Sequence, residues 1–274
     1  MSARRFHYLS PKLYPVLPAQ CGVLHFGVNL QKALDTRAVE PFDGVLQTRL
    51  SLFCEGEAVR EEVIETRVAG GRCDGGPIWR EVSTPAPGYV EIAITADKPI
   101  FSRLLSEPGY AVLAHADYGV LTANSDHKYA DPRVIDQLKF TPRYTLLHSA
   151  ALVERARDSA ESFLMINPYQ RPIVVRLVSD LGRRATAKVA PRSAALVPLA
   201  ELLDDGRFGT VMLTANNRLA CYDVRHRYDP PLRPNRIDHL DVFNGLPTHE
   251  RVPLQSRVRA AARRGLRALG LRAS

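Results

Sequence analysis

The stretch SFLMINPYQRPIVVRLVSDLGRRATAKVAPRSAALVPL, residues 162–199, decides the fold class. Apolar runs of strand length alternate with turn chemistry at Asn167-Pro168, at Asp180 to Gly182 and at Pro191-Arg192-Ser193. Proline has no N–H to give a ladder, and Asn and Asp bond their own backbone, so each of these groups stops a strand. The reading is four strands separated by three turns, the pattern of an antiparallel sheet. FGTVMLTANNRLACYDVRHR (208–227) extends it, and its spacing predicts a hairpin turning at Asn216-Asn217.

Working outward, VLQTRLSLFCE (45–55) places Leu46, Leu50, Leu52 and Cys54 on one parity, as in a half-buried strand. AVREEVIETRV (58–68) follows, then a loop marked by Gly70-Gly71 and Gly75-Gly76-Pro77. YVEIAITA (89–96) puts Val90, Ile92, Ile94 and Ala96 on one face, and 110–124 reads as a hairpin with Asp117–Gly119 near its turn. A short helix is predicted at VNLQKAL (28–34) and another at 131–138, with Asp131 as N-cap and Pro132 as first helical residue. RYTLLHSAALVE (143–154) fits strand or helix.

The expected fold is therefore mainly β, built of antiparallel β-sandwich modules, two of them, with a C-terminal amphipathic helix. The strand spacing of 162–227 resembles the generic pattern of immunoglobulin-like and fibronectin-type-III-like modules, which implies architecture and no activity. The implied division is an irregular segment at 1–45, a first β module at 46–143, a second at 144–228, a Pro-rich linker or strap at 229–253 and a basic tail at 254–274. One internal echo supports two modules of similar build. YVEIAITAD (89–97) and TVMLTAN (210–216) both run a strand into Thr-Ala-Asp/Asn, and LTAN recurs at 121–124.

The formal net charge of +8 is concentrated at one end. Seven of the 37 basic residues and none of the 29 acidic ones follow Glu250, so the preceding body is close to neutral. A neutral body gives no global electrostatic case for nucleic-acid binding. Four cysteines, at 21, 54, 73 and 221, have no CxxC spacing, which excludes a zinc ribbon and a thioredoxin-like motif. They are expected as reduced thiols, with Cys54 and Cys221 buried and a 54–73 disulfide the alternative. The Pro-interrupted N-terminus lacks the apolar core of a signal peptide, and no apolar run is long enough to span a membrane, so the expected compartment is the cytoplasm.

Nucleotide-binding glycine motifs, GxSxG and HExxH are absent from the sequence. One spacing bears on metal chemistry. His115-Ala-Asp117, with His226 downstream and Arg236 beyond it, resembles the facial triad and co-substrate arginine of iron(II)/2-oxoglutarate oxygenases. That resemblance implies Fe(II) at His115, Asp117 and His226, with 2-oxoglutarate as co-substrate; two imidazoles and a carboxylate leave open iron positions. A second His-x-Asp, His239-Leu-Asp241, shows how little the spacing specifies. The densest polar cluster is SDHKYADPR (125–133), where Asp126 and His127 could serve as an acid/base pair. If the body binds a small molecule, that loop with His115 and His148 is the expected place. Asn167, Pro168 and Tyr169 read as turn chemistry. Trp79, after a Gly-Gly-Pro loop, reads as a lid on a core or as an exposed aromatic for a partner or sugar.

The tail QSRVRAAARRGLRALGLRAS carries the sharpest signal. On a helical wheel of about 100° per residue, Leu254, Val258, Ala261, Ala262, Gly265, Leu266 and Leu269 share one face, and Arg257, Arg259, Arg263, Arg264 and Arg267 share the other. The separation holds from 254 to 269, and Gly270 suits the C′ position. Such a helix fits an anionic membrane surface, the protein's own body or an acidic partner; nucleic-acid phosphates need no apolar stripe. The functional expectation is a non-enzymatic binding or accessory protein, peripheral on the inner face of a membrane, with a metal-dependent β-fold enzyme as the alternative.

Overall fold

The computed structural model describes residues 9–21, 24–38, 40–98, 100, 111–115, 119–122, 144–153, 159–203, 207–216, 219–227 and 233–239. These are mainly β. The first half holds β1 (Leu9–Val16), β2 (Leu24–Val28), the helix α1 (Leu30–Arg37), β3 (Gly44–Cys54), β4 (Glu57–Ala69), β5 (Arg72–Cys73), β6 (Ile78–Val82), β7 (Gly88–Ala96), β8 (Ala111–His115) and β9 (Gly119–Thr122). The second holds β10 (Tyr144–Val153), β11 (Ser159–Asn167), β12 (Ile173–Ser179), β13 (Arg184–Val189), β14 (Ser193–Pro198), β15 (Arg207–Ala215), β16 (Ala220–Arg227) and β17 (Arg233–His239).

The strands form four sheets, named here by their central strands. The β3 sheet runs β1-β7-β3-β4-β5 and the β2 sheet β6-β2-β8-β9. The β12 sheet runs β10-β15-β12-β13 and the β11 sheet β14-β11-β16-β17. With β5 set aside, the second pair repeats the first strand for strand: β10 stands where β1 stands, β11 for β2, β12 for β3, β13 for β4, and β14 to β17 for β6 to β9. In an immunoglobulin sandwich the first two strands are neighbours in one sheet. Here β1 lies beside β7 and β2 beside β8, so the connectivity differs from that pattern.

The Thr-Ala-Asp/Asn echo has a structural counterpart at equivalent positions. Val45 donates its N–H to Asp97 Oδ1 at 2.9 Å, and the Asp97 N–H returns to the Val45 carbonyl at 3.0 Å. Val174 donates to Asn216 Oδ1 at 2.9 Å, and Asn216 returns to Val174 at 3.3 Å. In each half a short polar side chain at the end of one strand satisfies the first donor of its neighbour. In the third occurrence, LTAN, Ala123 and Asn124 lie outside the described residues.

Burial parity arranges the sheets as layers. Leu46, Leu50 and Leu52 of β3 and Ile92 and Ile94 of β7 pack with Leu24, Phe26 and Val28 of β2. Tyr14 meets Phe26 edge-on at 5.0 Å between ring centroids. The opposite face of the β3 sheet, with Leu13, Phe53 and Tyr89, joins Leu164, Ile166, Tyr222 and Val224 of the β11 sheet in the same core. The Tyr222 hydroxyl donates to the Leu13 carbonyl across that joint. The other face of the β11 sheet, with Phe163, Met165 and Cys221, packs on Val175, Leu177, Val211 and Leu213 of the β12 sheet. The β11 sheet is thus buried on both faces, and residues 161–169 have no exposed position. This explains why SFLMIN shows no polar alternation.

Several sequence expectations need correction. Residues 208–227 are not a hairpin: β15 and β16 belong to different sheets, and Asn216 bonds β12 instead of closing a turn between its flanking strands. The first helix starts later than predicted, because Val28 is claimed by β2 and Asn29 is the N-cap, accepting from the Lys32 N–H at 3.0 Å. Segment 1–45 supplies β1, β2 and α1. Pro11 and Pro15 are tolerated because β1 is the outer strand of its sheet among the described strands, paired with β7 and irregular between Leu9 and Lys12. Part of the presumed linker is β17, with Pro234 beside an irregularity in the ladder. Residues 144–153 are strand. All four cysteines are free thiols, so 54 and 73 are not bridged. No helix among the described residues is long and apolar enough to cross a membrane. The predicted helices at 131–138 and 254–269 lie outside the described residues.

Candidate functional site

The halves differ where β4 faces β6, at one side of the first half. Phe26, Leu50, Leu52, Val82 and Val90 form an apolar cleft there, rimmed by Arg60, Glu62 and Arg80. The Glu62 carboxylate accepts from Arg80 Nε at 2.8 and 3.1 Å and from Nη2 as well, a bidentate clamp joining one sheet to the other. Arg60 brings Nη2 within 3.6 Å of the same carboxylate and donates through Nη1 to the Glu81 carbonyl at 3.4 Å. The Arg80 hydrogen bond, more than any other influence, holds the Glu62 carboxyl below the usual carboxylate range and raises the guanidinium in turn. The cleft beneath is partly open and offers about 20 Å³, room for about one water.

The second half shows that its strand order does not require this rim. Counting from the two capping pairs, Glu62 corresponds to Arg183, just before β13, whose Nη1 donates to the Leu203 carbonyl at 3.1 Å, while β14 presents Ala195 and Val197, packed on the second core. Two arginines and a glutamate stand over apolar walls in the first half instead. The pair is partly exposed, with Glu62 at 28% and Arg80 at 33%, so it contributes no more than about 1 kcal/mol. The arrangement is a polar latch of net positive charge over an apolar interior. Its chemistry suits a ligand or partner group with an apolar body and an anionic end.

Trp79 stands next to the latch on the opposite face of β6. It is 50% exposed, which corrects the expectation of a core lid. Its ring lies over Gly27: a Cβ added there would come within 2.5 Å of the indole. The indole thus fills the place of the missing side chain on the cross-strand neighbour and keeps its outer face in solvent.

Of the sequence-derived metal candidates, the structure describes the strand positions of His115, His226 and Arg236. His115 ends β8 and His226 lies on β16, in two different sheets with β9 and β17 as their next strands. Arg236 is on β17, opposite Arg225. Asp117, Asp126, His127 and the tail residues Arg257, Val258, Arg259, Arg263, Arg264, Leu266, Arg267 and Leu269 lie outside the described residues. Among the described residues no group of three or more His, Cys, Asp or Glu could hold a metal ion.

Asn167 is fully buried, and its amide nitrogen sits 2.8, 3.1 and 2.9 Å from the carbonyls of Arg171, Val189 and Ala190. Its Oδ1 accepts the Tyr169 N–H at 3.0 Å, which makes its role structural. Sequence reasoning missed the latch, because REEVIETR shows only alternating charge and nothing in it says that Glu62 crosses to another sheet. No protein-family model matches the chain, and no curated protein matches it.

Proposed function

We propose that this chain is a binding or accessory protein of two antiparallel β-sandwich modules, attached peripherally to an anionic membrane on its cytoplasmic face through Arg257, Arg259, Arg263, Arg264 and Arg267. The likeness to immunoglobulin-like and fibronectin-III-like modules is one of strand spacing, not of connectivity. The binding side is the side of the first half where β4 faces β6. The observation that carries this reading is the Glu62–Arg80 latch over an apolar cleft, at a place where the second half has Arg183 bonded to the Leu203 carbonyl instead. A charged rim adds little stability, so its presence fits recognition better than folding.

The apolar-and-cationic face of 254–269 supplies the attachment, each arginine near an anionic surface contributing about 1 kcal/mol. Co-sedimentation of the full chain with anionic and neutral vesicles tests it. Anionic vesicles should bind the protein, high salt should release it, and replacing the five arginines by glutamine should abolish binding. Equal binding of that variant would end the attachment reading. A fluorescent fatty-acid probe should gain anisotropy when the protein is titrated in and lose that gain in Arg60→Gln with Arg80→Gln, and a flat titration would remove the latch as a site for amphiphiles.

A further inference from the structure

The two halves put the same strand at the same edge and give it opposite charge. β4 is the outer strand of the β3 sheet along Glu57–Arg67; β5 reaches only Val68 and Ala69, and no other described strand pairs there. Beyond the bulge opposite Leu52 and Phe53, its outer face shows Glu61, Val63 and Glu65, all exposed, Val63 to 59%. β13 is the outer strand of the β12 sheet, and its outer face shows Arg184, Thr186 and Lys188, again all exposed.

The direction of the backbone groups follows from the two capping pairs. Val45 exchanges hydrogen bonds with Asp97, so its N–H and C=O point toward β7. Alternation turns those of Leu46, Thr48 and Leu50 toward β4, where they meet Thr66, Ile64 and Glu62. The intervening Glu61, Val63 and Glu65 therefore direct N–H and C=O away from the sheet. From Val174 and Asn216 the same count turns Arg184, Thr186 and Lys188 outward on β13. On each edge, the residues with outward-facing backbone are also the ones whose charge is displayed.

We propose that the chain self-associates head to tail, β4 of one copy adding antiparallel to β13 of a second copy. One register sets Glu61 opposite Lys188, Val63 opposite Thr186 and Glu65 opposite Arg184, with main-chain hydrogen bonds at all three. On the other face it sets Ala187 and Ala185 opposite Glu62 and Ile64, small residues that leave the Glu62–Arg80 latch undisturbed. Opposite charges directly across a ladder stabilise it, and like charges destabilise it. Pairing β4 with β4 would set Glu61 against Glu65, and pairing β13 with β13 would set Arg184 against Lys188. Charge thus rejects the two-fold dimer and selects a heterologous contact, which adds copies end to end.

Sedimentation velocity of the full chain over a concentration series tests this. At low ionic strength the mass should rise with concentration beyond that of a dimer and should fall on adding salt. Val63→Pro, which removes one outward N–H and none directed at β3, should abolish the rise without lowering Tm appreciably. Glu61→Lys with Glu65→Lys should be monomeric alone, as should Arg184→Glu with Lys188→Glu. An equimolar mixture of these two variants should assemble again, since each β4 then meets a β13 of opposite charge. A chain monomeric throughout, assembly undiminished in Val63→Pro, or a mixture that stays monomeric would each overturn the proposal.

Discussion

Asp97 and Asn216 hold the same place in the two halves, each closing a reciprocal pair with the first valine of the neighbouring central strand. Only a side-chain oxygen is needed, and both residues supply one. Asp97→Asn should therefore leave Tm nearly unchanged. Asp97→Ala and Asn216→Ala should each cost about 1 kcal/mol, as the loss of a comparable cap does, or about 2–4 °C in a thermal melt. A large difference between the two alanine variants would contradict the equivalence.

Asn167 is the keystone of the second half. Asn167→Ala leaves the Val189 carbonyl and the Tyr169 N–H unpaired in the interior, at about 1–3 kcal/mol for each, and removes a partner from the part-buried carbonyls of Arg171 and Ala190. A fall in Tm of at least about 5 °C is expected. Asn167→Asp should be no better, because a carboxylate cannot donate to the carbonyls of Arg171, Val189 and Ala190.

The latch predicts a pH dependence with a definite sign. Glu62 is held below its ordinary range in the folded chain. Its contribution is present above the unfolded carboxyl pKa of about 4.3 and is lost as pH falls through the lower folded value. Wild type should exceed Glu62→Gln in stability at neutral pH by no more than about 1 kcal/mol, and the gap should close in acid. Melts of both proteins from neutral to acid pH would show it.

Gly27→Ala tests the place of Trp79. The methyl would collide with the indole, and a half-exposed ring at a sheet edge moves at modest cost. Trp79 emission should shift to the red and acrylamide should quench it more strongly, with the fold retained.

Cys73 is only partly buried, whereas Cys21, Cys54 and Cys221 are buried. Burial pushes the Cys73 thiol up and Asp35 adds to the shift, so it should react slowly at neutral pH and faster as pH rises. A thiol reagent on the native protein should modify it first among these four, and Cys73→Ser should remove that phase.

The strands were legible wherever turn residues punctuated them. Asn167-Pro168, Asp180–Gly182 and Gly70-Gly71 each fall between strands as their chemistry requires, and the alternation of Leu46, Leu50 and Leu52 marks one buried face. What could not be read was which strand pairs with which. Asn216-Asn217 looks like a hairpin turn because both residues favour turns, yet the chain there changes sheet. Pro11 and Pro15 look like breakers, yet an edge strand tolerates them. The latch was invisible for a related reason: Glu62 and Arg80 meet only after two sheets close, and local alternation carries no trace of that partner.

The doubly buried β11 sheet also sets the order in which the molecule becomes safe from aggregation. During synthesis the first half emerges with Leu13, Phe53 and Tyr89 on a face that β11, β14 and β16 cover, and those strands are made much later. Until then that face is sticky, and the nascent chain depends on delay or on a chaperone to stay soluble. Neither half should survive alone as a stable fragment, so proteolysis should remove the protein all at once, without leaving a resistant domain.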